Sequence, residues 1–371
     1  MSPANFTVRL IGDNPIRIWN ISCAERVRRI ARAAGFAMTE SGEGPAMLIN
    51  SAFAFDPQWL DFMKKRPDSV LTIGGAPAIA HVTGNIDGAA QAISDGVIPQ
   101  GLHPVAAEDH RDFYNKSLRK NEWPFLLALT DANVATIERA SYQASYKGVT
   151  DLLTKYLWPK LAFHLTRLAT SLGMSPNMVT GIGALCCVMA TLLFAQGQYW
   201  AGFAIGFAFM VLDTVDGKLA RCTVTSSKWG NIFDHGIDLI HPPFWWYAWG
   251  VGLARWGLDL PDRTFWTIMA VILGGYVLQR LIEGTFMRAF NGMHIHVWRP
   301  FDTWFRLITA RRNPNMVILF VALLFGRPDV GLIALAWWTV ISLVVHAVRL
   351  AQAYGVKRSG RAIVSWMEAK S

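Results

Sequence analysis

The chain has 371 residues, of which 52% are hydrophobic and only 16% are charged, and its net charge is +9. Soluble proteins carry about 25% charged residues, so this composition excludes a wholly soluble enzyme. Basic proteins often bind nucleic acid, but here the basic residues lie beside apolar segments, as in the loops of membrane proteins. We therefore expect membrane lipids, and no nucleic acid, as partners.

Residues 1–135 predict a cytosolic α/β domain, in which short apolar strands alternate with amphipathic helices. The predicted strands are 6–11, 46–49, 69–73 and 78–82, and the predicted helices are 24–34 and 57–65. Gly35 is expected to end the first helix. The amino-terminal residues lack the apolar core of a signal peptide, so we expect this domain to stay in the cytoplasm.

Residues 136–176 predict a linker that contains an amphipathic helix. Within it, 146–173 mix apolar residues with Lys147, Lys155 and Arg167, and the segment is too polar to span a bilayer. It is typical of a helix that lies in the membrane interface, with its basic residues toward the lipid headgroups. An ordinary helix between two domains is the alternative.

The apolar segments between residues 177 and 356 predict six transmembrane helices. They lie near 178–196, 200–220, 232–254, 264–286, 315–327 and 330–352. The loops after the second and fourth spans are basic, and so is the tail, 357–371. Basic loops stay on the cytoplasmic side, so both termini are predicted to be cytoplasmic. The sequence thus predicts an α-helical integral protein of the inner or cytoplasmic membrane, with an interfacial helix and a cytosolic α/β domain before the six spans.

Four aspartates stand at the ends of two consecutive spans. Asp213 and Asp216 close the second span, and Asp234 and Asp238 open the third. Spacings of three and four place each pair on one helix face, and a carboxylate near hydrocarbon is costly enough to indicate a function. Hard oxygen ligands of this kind suit Mg²⁺ or Mn²⁺. The alternative, in which the aspartates cap helices or pair with nearby basic residues, explains one or two of them better than four.

Small and basic residues accompany the aspartates. Gly217 and Gly230 leave room for a ligand or a neighbouring helix to approach the backbone, and Ala220 is also small. Lys218 and Arg221 add positive charge where phosphates would lie. These residues favour a bound diphosphate, with the charge on its leaving group neutralised by metal.

Together these residues form an extended motif. It reads Asp213-x2-Asp216-Gly217-x2-Ala220-Arg221-x8-Gly230-x3-Asp234-x3-Asp238. The motif resembles that of the CDP-alcohol phosphatidyltransferase family at every fixed position, and the resemblance covers about 146–352. It implies a metal-dependent enzyme of phospholipid biosynthesis. Such an enzyme moves a substituted phosphoryl group from a CDP-alcohol to an alcohol acceptor, and CMP leaves. It also implies a homodimer.

The resemblance implies roles for individual residues. The implied ligands of two Mg²⁺ or Mn²⁺ ions are Asp213, Asp216, Asp234 and Asp238. Asp238 is also the expected general base, since a carboxylate within reach of an alcohol can take its proton. The implied nucleotide-binding residues are Asp213, Gly217, Ala220, Arg221, Gly230, Asn177 and Thr180. The last two belong to the segment 175–180, which resembles the Pro-Asn-x-x-Thr opening of the family's first span.

The loop between the fourth and fifth spans predicts an acceptor site. Arginine matches phosphate oxygens well, and Arg306, Arg311 and Arg312 are the candidates for binding a phosphate of the acceptor. A role in membrane topology alone is the alternative. His294 and His296 are either metal ligands or, as such pairs more often are, structural residues of the interface. The expected donor is either CDP-diacylglycerol or a soluble CDP-polyol. The motif does not choose between them, because enzymes that use either donor share it.

The amino-terminal domain weakly resembles sugar-phosphate nucleotidyltransferases over about 7–110. The resemblance rests on Asn14-Pro15-Ile16-Arg17 and on the helix that follows up to Gly35. The Gly-rich loop that cradles a triphosphate is missing after the first strand. A degenerate domain with a structural or regulatory role is therefore expected.

A transporter or an ion-binding protein is the rival class for the whole chain, since intramembrane carboxylates can line an ion path. That function predicts acidic residues near the bilayer midplane on several helices. Here they cluster at one end of two helices, among glycines and basic residues, which favours a nucleotide. The four cysteines, with no CxxC pair, predict free thiols and no zinc site.

Overall fold

A computed structural model describes residues 6–40, 45–110 and 112–368. The chain forms two compact units. The first contains Met1–Tyr146, Arg167–Gly173 and Lys218–Ser226, and the second contains Lys147–Thr166, Met174–Gly217 and Ser227–Ser371.

The first unit is built on short strands and flanking helices. Its strands are β1 Thr7–Ile11, β2 Arg17–Ile18, β3 Ile21–Ser22, β4 Ala37–Met38, β5 Ala46–Asn50, β6 Phe53–Phe55, β7 Ser69–Ile73, β8 Ala76–Val82, β9 His103–Ala106, β10 Phe113–Asn115, β11 Lys120–Glu122 and β12 Leu126–Ala128. Its helices are α1 Cys23–Ala33, α2 Gln58–Lys64, α3 Ile86–Ser94 and, after the last strand, α4 Val134–Ala144. The predicted strands and helices of this region are therefore confirmed, with small shifts at their ends.

Six strands form one mixed sheet in the order β4-β1-β5-β8-β7-β9. Strand β1 is parallel to β4 and β5, whereas β8 is antiparallel to both of its neighbours. Residues 46–49 of β5 are completely buried, and α3 packs its apolar face against this part of the sheet. An α/β layer with its core on the central strands results, as predicted.

The second unit is helical. Its helices, two of which continue into the first unit, are α5 Pro159–Ser171, α6 Pro176–Ala195, α7 Tyr199–Cys222, α8 Lys228–Gly252, α9 Asp262–Ala289, α10 Pro300–Arg306, α11 Arg312–Leu324 and α12 Pro328–Arg358. Every predicted span is thus a helix. By length and apolar composition, α6, α9 and α12 are able to cross a membrane, and α11 is a shorter apolar helix. Six spans remain a prediction.

Tyrosine and tryptophan hydrogen bonds fix the ends of the helices that carry the aspartates. The Tyr199 hydroxyl, at the start of α7, donates to the Trp249 carbonyl of α8 at 2.6 Å. The Trp249 indole in turn donates to the Pro328 carbonyl at the start of α12, at 3.0 Å. Both side chains are fully buried, so their polar atoms need these partners. These bonds join the start of α7 to the end of α8, and the end of α8 to the start of α12.

Candidate active site

Three of the four predicted aspartates meet. Carboxylate oxygens of Asp213, Asp234 and Asp238 lie within 4.8 Å of one another. This arrangement arises because α7 ends and α8 begins on the same side of the unit, and each helix presents its pair of aspartates on one face. Three acidic groups so close together repel one another unless positive charge lies among them.

Asp216, the fourth aspartate, is buried and receives its own hydrogen bonds. The Thr180 hydroxyl donates to the Asp216 Oδ2 atom at 2.6 Å, and the Gly217 amide donates to Oδ1. Thr180 lies in the first turns of α6, which begins at Pro176 after the capping residue Ser175. The predicted nucleotide residue Thr180 therefore fixes the orientation of a predicted metal ligand.

Arg312 lies between the carboxylates of two different helices. Its Nη2 atom donates to Asp213 at 2.6 Å, and its Nη1 atom donates to Asp238 at 2.6 Å. The side chain is 11% exposed and stacks 4.8 Å above the Phe209 ring. The sequence predicted acceptor binding for Arg312, and the structure places it in ion pairs with the aspartates. A guanidinium among three convergent carboxylates shows that this position favours a cation, and hard oxygen donors fit a divalent metal there.

The other predicted nucleotide residues lie along the same helices. A side chain at Gly230 would come within 3.1 Å of the Asn177 amide oxygen, so the start of α8 approaches the start of α6 closely. Gly217 follows Asp216 directly on α7. Ala220 and Arg221 lie one turn further along α7, in the segment of the first unit.

Asp238 lines a different cavity from the other three aspartates. Asp213, Asp216 and Asp234 line a narrow cleft between α6, α7 and α8. Asp238 lines a separate cavity of about 100 Å³. The charged residues around that cavity are Asp151, Asp238, Arg280, Arg306, Arg311 and Arg312. Two of the predicted acceptor residues, Arg306 and Arg311, therefore lie beside the predicted base.

Comparison with known proteins identifies the family of this chain. Residues 173–311 match the family model of the CDP-alcohol phosphatidyltransferases. The archaetidylinositol phosphate synthase of Pyrococcus horikoshii is 31% identical over 198 residues, which are 51% of this chain and 93% of that protein. The chain belongs to the CDP-alcohol phosphatidyltransferase family. It is therefore a membrane-bound phosphotransferase of phospholipid biosynthesis.

Other relatives and solved structures are also similar to this chain. A choline/ethanolaminephosphotransferase of Arabidopsis thaliana is 32% identical over 39% of this chain and 40% of its own length. The Mycobacterium tuberculosis phosphatidylinositol phosphate synthase has been solved with CDP-DAG bound and in complex with manganese and citrate. Both structures are 20% identical to this chain. The match to the CDP-DAG complex covers 52% of this chain and 94% of that one, with a TM-score of 0.41. The match to the manganese and citrate complex covers 50% of this chain and 87% of that one, with a TM-score of 0.40.

Several charged residues of this family member were not among the predicted site residues. Asp151 precedes α5 and lines the cavity beside Asp238. Burial acts to raise the pKa of Asp151, but the Arg306 guanidinium and hydrogen bonds from Thr154 outweigh burial and hold that pKa below its usual value. Asp151 is thus ionised at neutral pH, and it balances part of the cavity's positive charge.

Arg280 and Glu283 on α9 were also missed, although the sequence held a signal for them. They form an ion pair three residues apart inside a long apolar helix, where charged side chains are costly and usually functional. His296, which the sequence left open as a metal ligand or a structural residue, is buried against Glu283 and away from the aspartates. All four cysteines are free thiols, as predicted.

Proposed function

We propose that this phosphotransferase uses a polyol phosphate, or an alcohol with a similar anionic group, as its acceptor. The supporting observation is the cavity that Asp238 shares with four arginines. Arginine forks bind phosphate oxygens with two parallel hydrogen bonds. The name of the Pyrococcus horikoshii relative, an archaetidylinositol phosphate synthase, points to the same class of acceptor.

The aspartates line two different spaces, and we assign a different role to each group. Asp213, Asp216 and Asp234, on the cleft side, would hold the divalent metal, Mg²⁺ or Mn²⁺, together with Asp238 at its edge. When bound, the metal neutralises charge on the diphosphate and on the CMP that leaves. Thr180 and the Gly217 amide keep the Asp216 carboxylate in place.

Asp238 is our proposed general base. Its side chain is 44% exposed, whereas that of Asp213 is 16% exposed, so an alcohol in the cavity can reach Asp238 more easily. Asp238 would accept the hydroxyl proton as the acceptor oxygen bonds to the phosphorus of the CDP-alcohol. The bond from that phosphorus to the CMP oxygen breaks in the same step. Arg312 orients Asp238 through its 2.6 Å hydrogen bond.

The donor and the assembly are proposed on family grounds. We favour CDP-diacylglycerol or a soluble CDP-polyol as the donor, with Asn177 and Gly230 near the nucleotide. Six spans, cytoplasmic termini and a homodimer complete this proposal. They rest on the basic loops, on the helices that form at all six predicted spans and on the family resemblance.

The amino-terminal domain is proposed to be structural or regulatory. Strand β1 runs directly into Gly12, whose φ is +77°, and the chain then continues to the β2–β3 hairpin without a glycine-rich loop. A side chain at Gly12 would come within 2.9 Å of the Ser51 hydroxyl oxygen, so this turn is closed against β5. Such a turn leaves little room for a triphosphate on the backbone amides.

One assay tests the reaction and its base. Purified protein with Mg²⁺ or Mn²⁺ is incubated with pairs of CDP-alcohols and acceptors, and CMP is measured. We expect CMP with at least one polyol phosphate, and Asp238→Asn should abolish turnover while nucleotide binding persists. Normal turnover by that variant would refute the base assignment. Absence of CMP from every pair, together with ion or solute transport in vesicles, would instead favour the transporter.

A further inference from the structure

Glu283 is a buried carboxylate at the centre of a basic cluster. Its side chain is 15% exposed, and three side chains contact it. Arg280 Nη2 donates to Oε1 at 2.9 Å, and Arg311 Nη2 donates to Oε2 at 2.5 Å. His296 Nε2 lies 3.2 Å from Oε1. Burial lowers the pKa of His296 well below its usual value, so the ring is neutral and adds no further positive charge.

Glu283 lies behind the wall of the cavity that Asp238 lines with four arginines, which we call the acceptor cavity. Arg280 and Arg311 line the cavity, but Glu283 does not. Each of the two arginines therefore has the cavity on one side and Glu283 on the other. Asp238 lines the same cavity, so a phosphate held by these arginines would lie beside the proposed base.

We propose that Glu283 is a positioning residue that holds Arg280 and Arg311 in the orientation that binds the acceptor phosphate. This inference rests on the proposed acceptor function. Four guanidinium groups around so small a cavity repel one another, and a long arginine side chain loses much rotamer freedom when it is held in one orientation. A fixed anion behind two of them offsets the repulsion and restricts their rotamers before the substrate arrives.

A metal site is the competing explanation for the cluster. Glu283, His296 and His346 offer ligand atoms within 4.8 Å of one another. Neither ring nitrogen of His346 has a hydrogen-bond partner among the described residues. Two histidines and one carboxylate are typical ligands of transition metals. However, a divalent ion would have to share Glu283 with the guanidinium groups of Arg280 and Arg311, and this repulsion favours the positioning role.

The test compares Glu283→Gln with the wild-type protein. Glutamine keeps the size of the side chain but loses the charge, and its amide donors face the guanidinium donors. We expect the KM for a polyol phosphate that the wild type uses to rise about 30-fold or more, because a buried partner of two charged groups is lost. The KM for the CDP-alcohol and the kcat should change by no more than about twofold, because the α7–α8 aspartates remain intact. Glu283→Asp, which keeps the charge on a shorter side chain, should recover part of the loss.

Asp329→Asn is the matched control. Asp329 is an acidic residue whose side chain is 11% exposed and pairs with Arg327 at 2.6 Å, but it does not line the acceptor cavity. We expect its acceptor KM to match the wild type. If Glu283→Gln does not fold, as judged by gel filtration in detergent, Glu283→Asp carries the test, and an unchanged acceptor KM in that variant would refute the proposal.

The outcomes separate this inference from the function on which it rests. A wild-type protein that uses no polyol phosphate refutes the proposed acceptor. A wild type that uses one, together with an equal acceptor KM in Glu283→Gln, refutes the role of Glu283 alone. Elemental analysis of the purified proteins checks the metal explanation: a transition metal present in the wild type and lost in Glu283→Gln would overturn the positioning role.

Discussion

The hydrogen bond from Thr180 to Asp216 provides a direct test of the site. Thr180→Val keeps the shape of the side chain and removes its hydroxyl. The variant loses the 2.6 Å bond to Asp216 and a 3.0 Å bond to the Pro176 carbonyl. The bond to the backbone carbonyl can be lost at small cost. The buried carboxylate, by contrast, keeps one donor among the described residues, the Gly217 amide.

The magnitude follows from the charge on Asp216. A hydrogen bond to a charged group contributes about 1.5–3 kcal/mol, and each 1.36 kcal/mol corresponds to about tenfold in rate. We therefore expect Thr180→Val to lower kcat/KM by roughly 10- to 150-fold. The metal concentration for half-maximal activity should rise in parallel, since a carboxylate that is no longer oriented is a poorer ligand. CMP release over a titration of Mg²⁺ or Mn²⁺ measures both quantities.

Thr191→Val is the control on the same helix. Thr191 donates to the Cys187 carbonyl at 2.8 Å, and it lies about three turns from Thr180. Its substitution removes a hydroxyl and a backbone hydrogen bond of the same kind, and it should leave kcat/KM within about twofold of the wild type. Equal activities of the two variants would show that the Thr180 hydroxyl does not support the metal site.

Three further predictions concern metal and stability. A chelator should abolish CMP release, and added Mg²⁺ or Mn²⁺ should restore it; activity that persists in the chelator would contradict a metal-dependent reaction. Arg26→Met should lower the free energy of unfolding of the first unit by about 2–4 kcal/mol, because buried Arg26 donates to the Cys222 carbonyl at 3.0 Å. The control is Arg28→Met on the exposed face of α1, which should lower it by about 0.5 kcal/mol or less. Gly331→Ala should lower the melting temperature, since its new methyl group would lie 2.5 Å from the Ala322 side chain, but Gly355→Ala on the same helix has open space and should not. Thermal unfolding in detergent compares each pair, and equal shifts within a pair would refute the assigned contact.

Local patterns predicted much of the fold. Helix α1 was expected at 24–34 and occurs at Cys23–Ala33, because its apolar residues recur at helical spacing between the capping Ser22 and Gly35. The β10–β11 hairpin is not among the strands that the sequence predicted. Its strands are three residues long and largely polar, so they show no alternation of apolar and polar residues that could have revealed them.

The candidate site was predictable where its residues are close in sequence. The meeting of Asp213, Asp234 and Asp238 follows from their positions at the ends of two consecutive helices. The ion pairs of Arg312 did not follow, because its two partners lie 99 and 74 residues away in the chain. Only the packing of α11 beside α7 and α8 brings these charges together, and the residues alone favoured a phosphate as the partner.

The ion pairs of Arg312 have a consequence for how this protein is made. A membrane helix that ends in unbalanced carboxylates is difficult to assemble, because the acidic groups repel each other where water is scarce. Here the chain supplies its own counter-ion from α11, which is synthesised after α7 and α8. Folding of the helical unit therefore needs no metal ion to balance Asp213 and Asp238, and a metal bound there, as we propose, would replace Arg312 as their counter-ion.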